Sequence, residues 1–399
     1  MQITKGLRLE SSTVLTVVIW AYYILTMMFP SSDEALAASR IYPQATMAII
    51  CIYCLITSFV YRHSILSQPV YRSFSVLLLM AFIYVFVNGI DKAYDNFLTF
   101  LRQNMAIMFA FVWYIEMFKN PQVAKRNTIL IFLMQIGYVF FNLWLDLNVG
   151  YGLDQKQGIH DSNSGFLFEC CIPLAIVFPI KRLRVYLYLI LFTGCVFSGQ
   201  RSAALAALAC VPFAIGYLKK GIKKSDIIFL SILLAVSIIP ALDIAFKNLI
   251  ARQQLEIQGG YSLGSGREIF WALVWNHFWD GDILQILLGH GYGSVQKLLD
   301  ATYGMAIGSH NGWLDYMYMF GLIGLVIYIR TFRFMYRQNQ IINHSGDKDY
   351  RNIFLIIVIL FMVKCTTSHG FWDISCMPLA MTIAITLHGH YCFEKRKKL

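Results

Sequence analysis

Charged residues are scarce in this chain. Asp, Glu, Lys and Arg make up 14% of its 399 residues, while 58% are hydrophobic. Soluble domains carry about 25% charged residues, so a soluble globular fold is excluded. Period-2 alternation of polar and apolar residues is also missing, and open sheets cannot span lipid. A helical bundle is what remains. The nine cysteines show no metal or redox spacing, and the CxxC of Cys51 and Cys54 lies within an apolar run, where it reads as helix packing. No small-residue cleavage site follows the start MQITKGLRLESSTVL. The expectation there is a first membrane span behind a short basic tail. Internal repeats, low-complexity tracts and a second soluble domain are lacking as well.

What is present is a series of apolar runs, each near the roughly 20 residues that cross a bilayer as helix. About twelve spans are expected, at 13–29, 41–60, 73–90, 97–118, 128–148, 164–180, 183–199, 202–218, 226–246, 309–330, 352–368 and 373–391. Residues 1–399 then form a single integral membrane domain, with a large loop at 247–308 between the ninth and tenth spans. The net charge is +11. With both termini in the cytoplasm, most of the 33 basic residues fall in inner loops, including the KKGIKK run from Lys219 to Lys224 and the EKRKKL tail. A minority, among them Arg102, Arg201, Arg252, Arg267 and Lys297, fall outside. This is the positive-inside pattern. Topology therefore accounts for the charge, and nucleic-acid binding is not expected.

The large outer loop concentrates polar chemistry. After a Gly-Ser-Gly turn, Glu268 to Trp279 (EIFWALVWNHFW) has Phe270, Trp271, Val274, Trp275 and Phe278 at helical spacing, as expected of a helix lying at the membrane interface or tucked onto the bundle. LLGHGYGS, Leu287 to Ser294, is a glycine turn without a flanking strand, which argues against dinucleotide binding. A short helix is expected over Val295 to Ala301.

Arg201 sits between two apolar spans on the side that the charge rule disfavours, which marks it as a functional candidate. Ser198, Gly199 and Gln200 precede it, and a helix starting beside it would offer free N–H groups to an anion. Arg267 has a similar setting, before a helix on the same side. Two such arginines suit a diphosphate, and Arg102, at the start of the fourth span, is a third candidate. His310, at the head of SHNGWLDYMY, places an imidazole at the outer boundary, where it can accept a hydroxyl proton near neutral pH. The outer histidines, His160, His277, His290, His310 and His369, contain no HxxxH or HxH pair, so a zinc site is not expected. Ser309, His310 and Asp315 lack a GxSxG elbow and are not read as a hydrolase triad.

The order of these motifs resembles the O-antigen ligase and polymerase superfamily (Wzy/WaaL-like) of bacterial envelope glycosyltransferases. The resemblance runs from about Gly158 to Gly324. It rests on SGQRSAAL, on SGREIFW, and on GHGYGS followed by SHNGWLDYMYMFGLIGL. QGIHDSNSGFL is similar to the family's entry to the sixth span, with Asn163 in the Asn place. The resemblance implies a GT-C-like all-α membrane fold, a multi-pass protein of the bacterial inner membrane and an active site facing the periplasm. It implies an undecaprenyl-diphosphate-linked glycan donor, a glycan acceptor, and inverting transfer without a metal or other cofactor. Arg201 and Arg267 would hold the diphosphate and His310 would serve the acceptor. Arg102, His160, Asn163 and Asn311 are candidate substrate-binding residues. A chain-length regulator and a flippase are possible partners, besides the membrane lipids themselves. SGR followed by an aromatic helix looks more like a polymerase of O-antigen, capsule or exopolysaccharide than a ligase acting on lipid A–core.

Two other classes compete. A lipid-linked glycan flippase should carry polar residues through its span centres, whereas here they gather at one side. A scaffold protein would need neither Arg201 nor His310. The expected topology can be checked by thiol labelling from outside. A cysteine placed at Ser294 should react and one at Lys223 should not; the reverse would put Arg201, Arg267 and His310 in the wrong compartment.

Overall fold

The computed structural model describes residues 10–28, 41–87, 92–149, 164–198, 200–218, 267–304, 307–368 and 370–399. Among them every regular element is a helix: α1 (Ser11–Met28), α2 (Ile41–Val60), α3 (Arg62–Leu66), α4 (Pro69–Ile83), α5 (Ala93–Lys119), α6 (Pro121–Val149), α7 (Ser164–Ile176), α8 (Leu183–Phe197), α9 (Arg201–Leu218), α10 (Arg267–Trp279), α11 (Ile283–Leu288), α12 (Ser294–Tyr303), α13 (Gly312–Ser345), α14 (Ile353–Thr367) and α15 (Met377–Lys397). Five of these, α1, α2, α5, α6 and α13, contain stretches long and apolar enough to cross a membrane. The helices α4, α7, α8, α9 and α14 are apolar but shorter. The chain is thus an all-α membrane protein. The expected span at 226–246 lies outside the described residues, so the count of about twelve remains a proposal.

Two helices form the centre. From Phe100 to Met117 nearly every residue of α5 is buried, and so is α15 from Met377 to Leu387. A helix that is apolar on all sides belongs inside a bundle, and these two pack against each other along their length, with α7 beside α15. Polar bonds tie α5 to the helices around it. The Tyr71 hydroxyl donates to Ala110 O (3.2 Å) and Trp113 Nε1 to Thr128 Oγ1 (3.0 Å). At the far end of α5, the Glu116 carboxylate accepts from Ser11 Oγ and from Lys119 Nζ, each at 2.9 Å. Helix starts follow local chemistry: Pro69 opens α4, Pro378 lies in the first turn of α15, and Asn120 Oδ1 caps α6 through Val123 N–H.

The long helix α13 is broken in its first third. Gly321 has φ +67° and ψ −173°, which no helix accommodates. The break frees backbone carbonyls, and the glycine turn before α12 takes them up. His290 N–H donates to Tyr318 O (2.9 Å) and Gly291 N–H to Met319 O (2.8 Å). The Tyr84 hydroxyl donates to Phe320 O (3.2 Å) and also reaches Leu288 O. The Tyr292 hydroxyl donates to Ala81 O at 3.1 Å. The approach is so close that a Cβ on Gly289 would sit 2.4 Å from Gly321 N, and one on Gly321 would sit 2.2 Å from Leu287 O. The GHG of the sequence is therefore a docking element rather than a nucleotide loop.

Gly321→Ala tests this docking. The φ/ψ of Gly321 lies in a region open essentially to glycine alone, which costs an ordinary residue about 1–3 kcal/mol, and the clash with Leu287 adds to it. The variant should unfold at lower temperature in detergent and expose residues 287–291 to proteolysis. Wild-type melting together with wild-type protease resistance would show that the loop is held by other means.

Candidate functional site

The loop helices fold as the sequence suggests, with differences of detail. α10 begins at Arg267 itself. Val274 and Phe278 are buried, whereas Trp275 and Trp279 are exposed, so one face of α10 packs on the bundle and the other is bare. α12 extends the expected short helix by a turn. α11, absent from the sequence reading, is closed by a capping box: Asp282 Oδ1 accepts from Gln285 N–H and Gln285 Oε1 from Asp282 N–H.

His310 does not lie in the helix but just before it. Its φ is +59°, a left-handed conformation uncommon for a non-glycine residue. The turn that imposes this conformation is tied at several points. Buried Asp315, one turn into α13, accepts from Ser309 N–H (3.1 Å) and Ser309 Oγ (2.6 Å) through Oδ1. Ser309 Oγ in turn accepts from Asn311 N–H at 3.2 Å. Asn311 Oδ1 caps α13 through the N–H groups of Trp313 and Leu314. Gly312 meets Gly370 so closely that a Cβ there would fall 2.3 Å from Gly370 N. The sequence reading gave Asn311 a substrate role; the structure gives its side chain a capping role.

α10 joins this turn. Trp271 Nε1 donates to Ser309 O (2.8 Å) and, one turn earlier, Arg267 Nη1 donates to Thr367 O (2.9 Å), at the end of α14. Arg267 and the His310 turn therefore share one corner of the bundle. Arg201 starts α9, and its side chain lies outside the described residues. Its backbone can still be placed. α9 packs on α14, and the Tyr217 hydroxyl donates to Arg351 O at their other end. Arg201 is at the opposite end of α9 from this bond. Next to it, Gln200 N–H donates to Ser198 Oγ (3.3 Å), and that turn rests on Gly165 of α7.

The remaining candidates are dispersed. Arg102 is exposed in the wall of a cavity at the same end of the bundle. His160, Asn163 and His369 lie outside the described residues. Across the loop, His277 Nδ1 pairs with the Tyr318 hydroxyl at 3.0 Å, and the His290 ring stacks on Tyr318 with centroids 4.3 Å apart. Burial, then neighbouring His277, hold the His290 imidazole below its usual range, against a smaller opposing pull from Asp282. His290 thus favours the neutral form and a structural part. Within the bundle, Lys364 Nζ donates to Phe371 O (3.3 Å) and reaches Cys376 Sγ (3.6 Å), anchoring the turn between α14 and α15. Among the described residues no group of three or more His, Cys, Asp or Glu side chains could hold a metal ion.

Residues 186–329 match the family model described as O-Antigen ligase. The match supports the O-antigen ligase and polymerase superfamily. Arg201, Arg267, the glycine turn, His310 and the break at Gly321 all fall inside the matched segment; Arg102, His160 and Asn163 fall outside it. No curated protein matches the chain. The residues that the sequence analysis did not single out are those that hold others. Asp315 and Thr367 carry no motif of their own, although an acidic residue five positions after the histidine was visible.

Asp315→Ala removes the acceptor for two Ser309 groups in a buried place. An orphaned buried donor costs about 1–3 kcal/mol, and the His310 turn should lose its shape. The expected result is a lower melting temperature with near-complete loss of glycan transfer, and Ser309→Ala should be milder in both. Wild-type transfer by Asp315→Ala would show that the turn does not depend on this clamp.

Proposed function

We propose that the protein polymerises undecaprenyl-diphosphate-linked oligosaccharide repeat units into O-antigen, capsule or exopolysaccharide at the periplasmic face. The observation that carries this reading is the shared corner: Arg267 fixed on Thr367 O, with its helix bonded through Trp271 to the turn that presents His310. Arg267, Trp271, Ser309 and His310 lie within the matched segment. A cation and an imidazole in one place suit glycosyl transfer from a diphosphate.

In this mechanism the acceptor hydroxyl attacks the anomeric carbon from the face opposite the diphosphate, giving inversion without a metal. Its proton passes to the neutral His310 imidazole. The bond between the anomeric carbon and the diphosphate oxygen breaks, and the departing diphosphate takes the electron pair. Arg267, together with Arg201, neutralises the charge that builds there. A lipid donor explains the setting in a membrane bundle, because the reacting bond lies at headgroup depth. Arg102 and, from the undescribed residues, His160 and Asn163 are further substrate-binding candidates in this reading.

The match to an O-Antigen ligase family favours a second reading, in which the same corner transfers the finished glycan to lipid A–core. Purified protein given only the lipid-linked repeat unit separates the two. Polymerisation lengthens the glycan, whereas a ligase produces nothing until lipid A–core is added.

Paired variants test the assigned roles. His310→Ala should bind the lipid-diphosphate donor with near wild-type affinity and transfer about 10²–10⁴ times more slowly. Arg267→Ala and Arg201→Ala should weaken donor binding as well, and Arg201→Lys should regain little, since lysine lacks the planar fork. A correctly folded His310→Ala that extends glycan at the wild-type rate would remove the base assignment. Wild-type glycan lengths in both alanine variants of the arginines would remove the donor site.

A further inference from the structure

A cavity of about 310 Å³ opens at the end of the bundle where α1 and α6 finish and α5, α7 and α15 begin. Side chains from five separate stretches meet there: Tyr23 of α1, Arg102 and Gln103 of α5, Gln135 of α6, Gln296 of α12, and Asp373 before α15. Its polar atoms are unusual. The amide oxygens of Gln103, Gln135 and Gln296 and the hydroxyl of Tyr23 are buried without a hydrogen-bond partner. Gln103, Gln135 and Tyr23 are 7%, 2% and 1% exposed. A buried polar atom left unpaired costs about 1–3 kcal/mol, so several of them on residues that line one cavity favour a bound molecule toward which these side chains can turn.

The donor set defines the filler. The glutamine amides both accept and donate hydrogen bonds, and the Asp373 carboxylate accepts them and repels anions. Arg102 repels a cation and donates to neutral oxygens. A ligand satisfying both is neutral and rich in hydroxyl groups. Aromatic rings in the wall, such as Tyr22, offer the flat apolar surface that the C–H face of a sugar ring covers. The volume lies at the low end of the range of about 300–1,000 Å³ for small-molecule sites, which is room for a ring or two rather than a polymer. The turn that carries Asp373 also carries Gly370, packed on Gly312 of the His310 turn. The cavity therefore shares a wall with the candidate catalytic corner.

We propose that this cavity is a carbohydrate subsite that holds a sugar ring of the glycan next to the site of transfer. The proposal rests on the glycosyl-transfer reading, and it can fail separately. The test measures binding of the host's repeat-unit oligosaccharide, freed of lipid and diphosphate, to the full-length protein and to Gln103→Leu/Gln135→Leu, with sugar-free undecaprenyl diphosphate as the second probe. The double variant should bind oligosaccharide about tenfold or more weakly, bind undecaprenyl diphosphate as wild type does, and melt no lower than wild type, because it removes unpaired polar groups. If transfer is then measured, a raised KM for lipid-linked donor at constant acceptor KM assigns the ring to the donor, and the converse assigns it to the acceptor. Equal oligosaccharide affinity in wild type and variant overturns the subsite, as does wild-type protein that fails to bind oligosaccharide. Should the double variant not fold, Gln296→Leu, on the less buried α12, must show the same selective loss. Absence of transfer by wild-type protein would count against the proposed function alone, since the binding comparison still decides the subsite.

Discussion

Lipid cannot hydrogen-bond to a peptide group, so any interruption of a helix within a membrane bundle must be satisfied by protein. The break at Gly321 meets that demand with backbone. The N–H groups of His290 and Gly291 occupy the carbonyls of Tyr318 and Met319, and the Tyr84 hydroxyl takes Phe320 O. Much of the outer architecture depends on this exchange. It seats the glycine turn, which orients α11 and α12, and α12 delivers Gln296 to the cavity. α10 is anchored separately, by Arg267 to α14 and by Trp271 to Ser309. The loop is thereby stretched between the break in α13 and the head of the same helix, with His310 at that head.

Rigidity in the candidate corner comes from the residues around His310. Asp315 grips Ser309, Asn311 caps α13, and Gly312 lies against Gly370. Together they hold His310 in a left-handed conformation that costs an ordinary residue about 1–2 kcal/mol. A histidine so placed has its backbone fixed by neighbours rather than by helix periodicity, which suits a group that must meet a hydroxyl in one geometry.

Hydropathy was enough to place most of the helices, because twenty apolar residues in a row have few alternatives. α11 escaped notice because Ile283 to Leu288 is a six-residue apolar run, too short for periodicity to declare itself, although Asp282 and Gln285 spelled its capping box. His310 was read as opening a helix; Asn311, a strong capping residue, is what opens α13. The proximity of Arg267 to the His310 turn was suggested by motif order, but the bonds that create it, to Thr367 and Ser309 carbonyls, involve backbone atoms that no sequence pattern marks. The cavity is harder still to read in one dimension. Gln103 and Gln135, polar residues within apolar spans, were a signal by themselves. Their convergence with Gln296 and Asp373 depends on how distant helices pack.

The attachment of the loop to α13 through peptide groups separates position from identity. His290 docks by its main-chain N–H group, which any residue other than proline would supply, whereas Gly291 has a left-handed φ of +82° and Gly289 and Gly321 are constrained by close approach. Ile283, Leu284, Leu287 and Leu288 of α11 are exposed and take no side-chain part in that attachment. A lineage confronted with a different sugar could therefore rewrite the surface of α11 and keep the loop in register, much as a handle can be reshaped without altering its hinge.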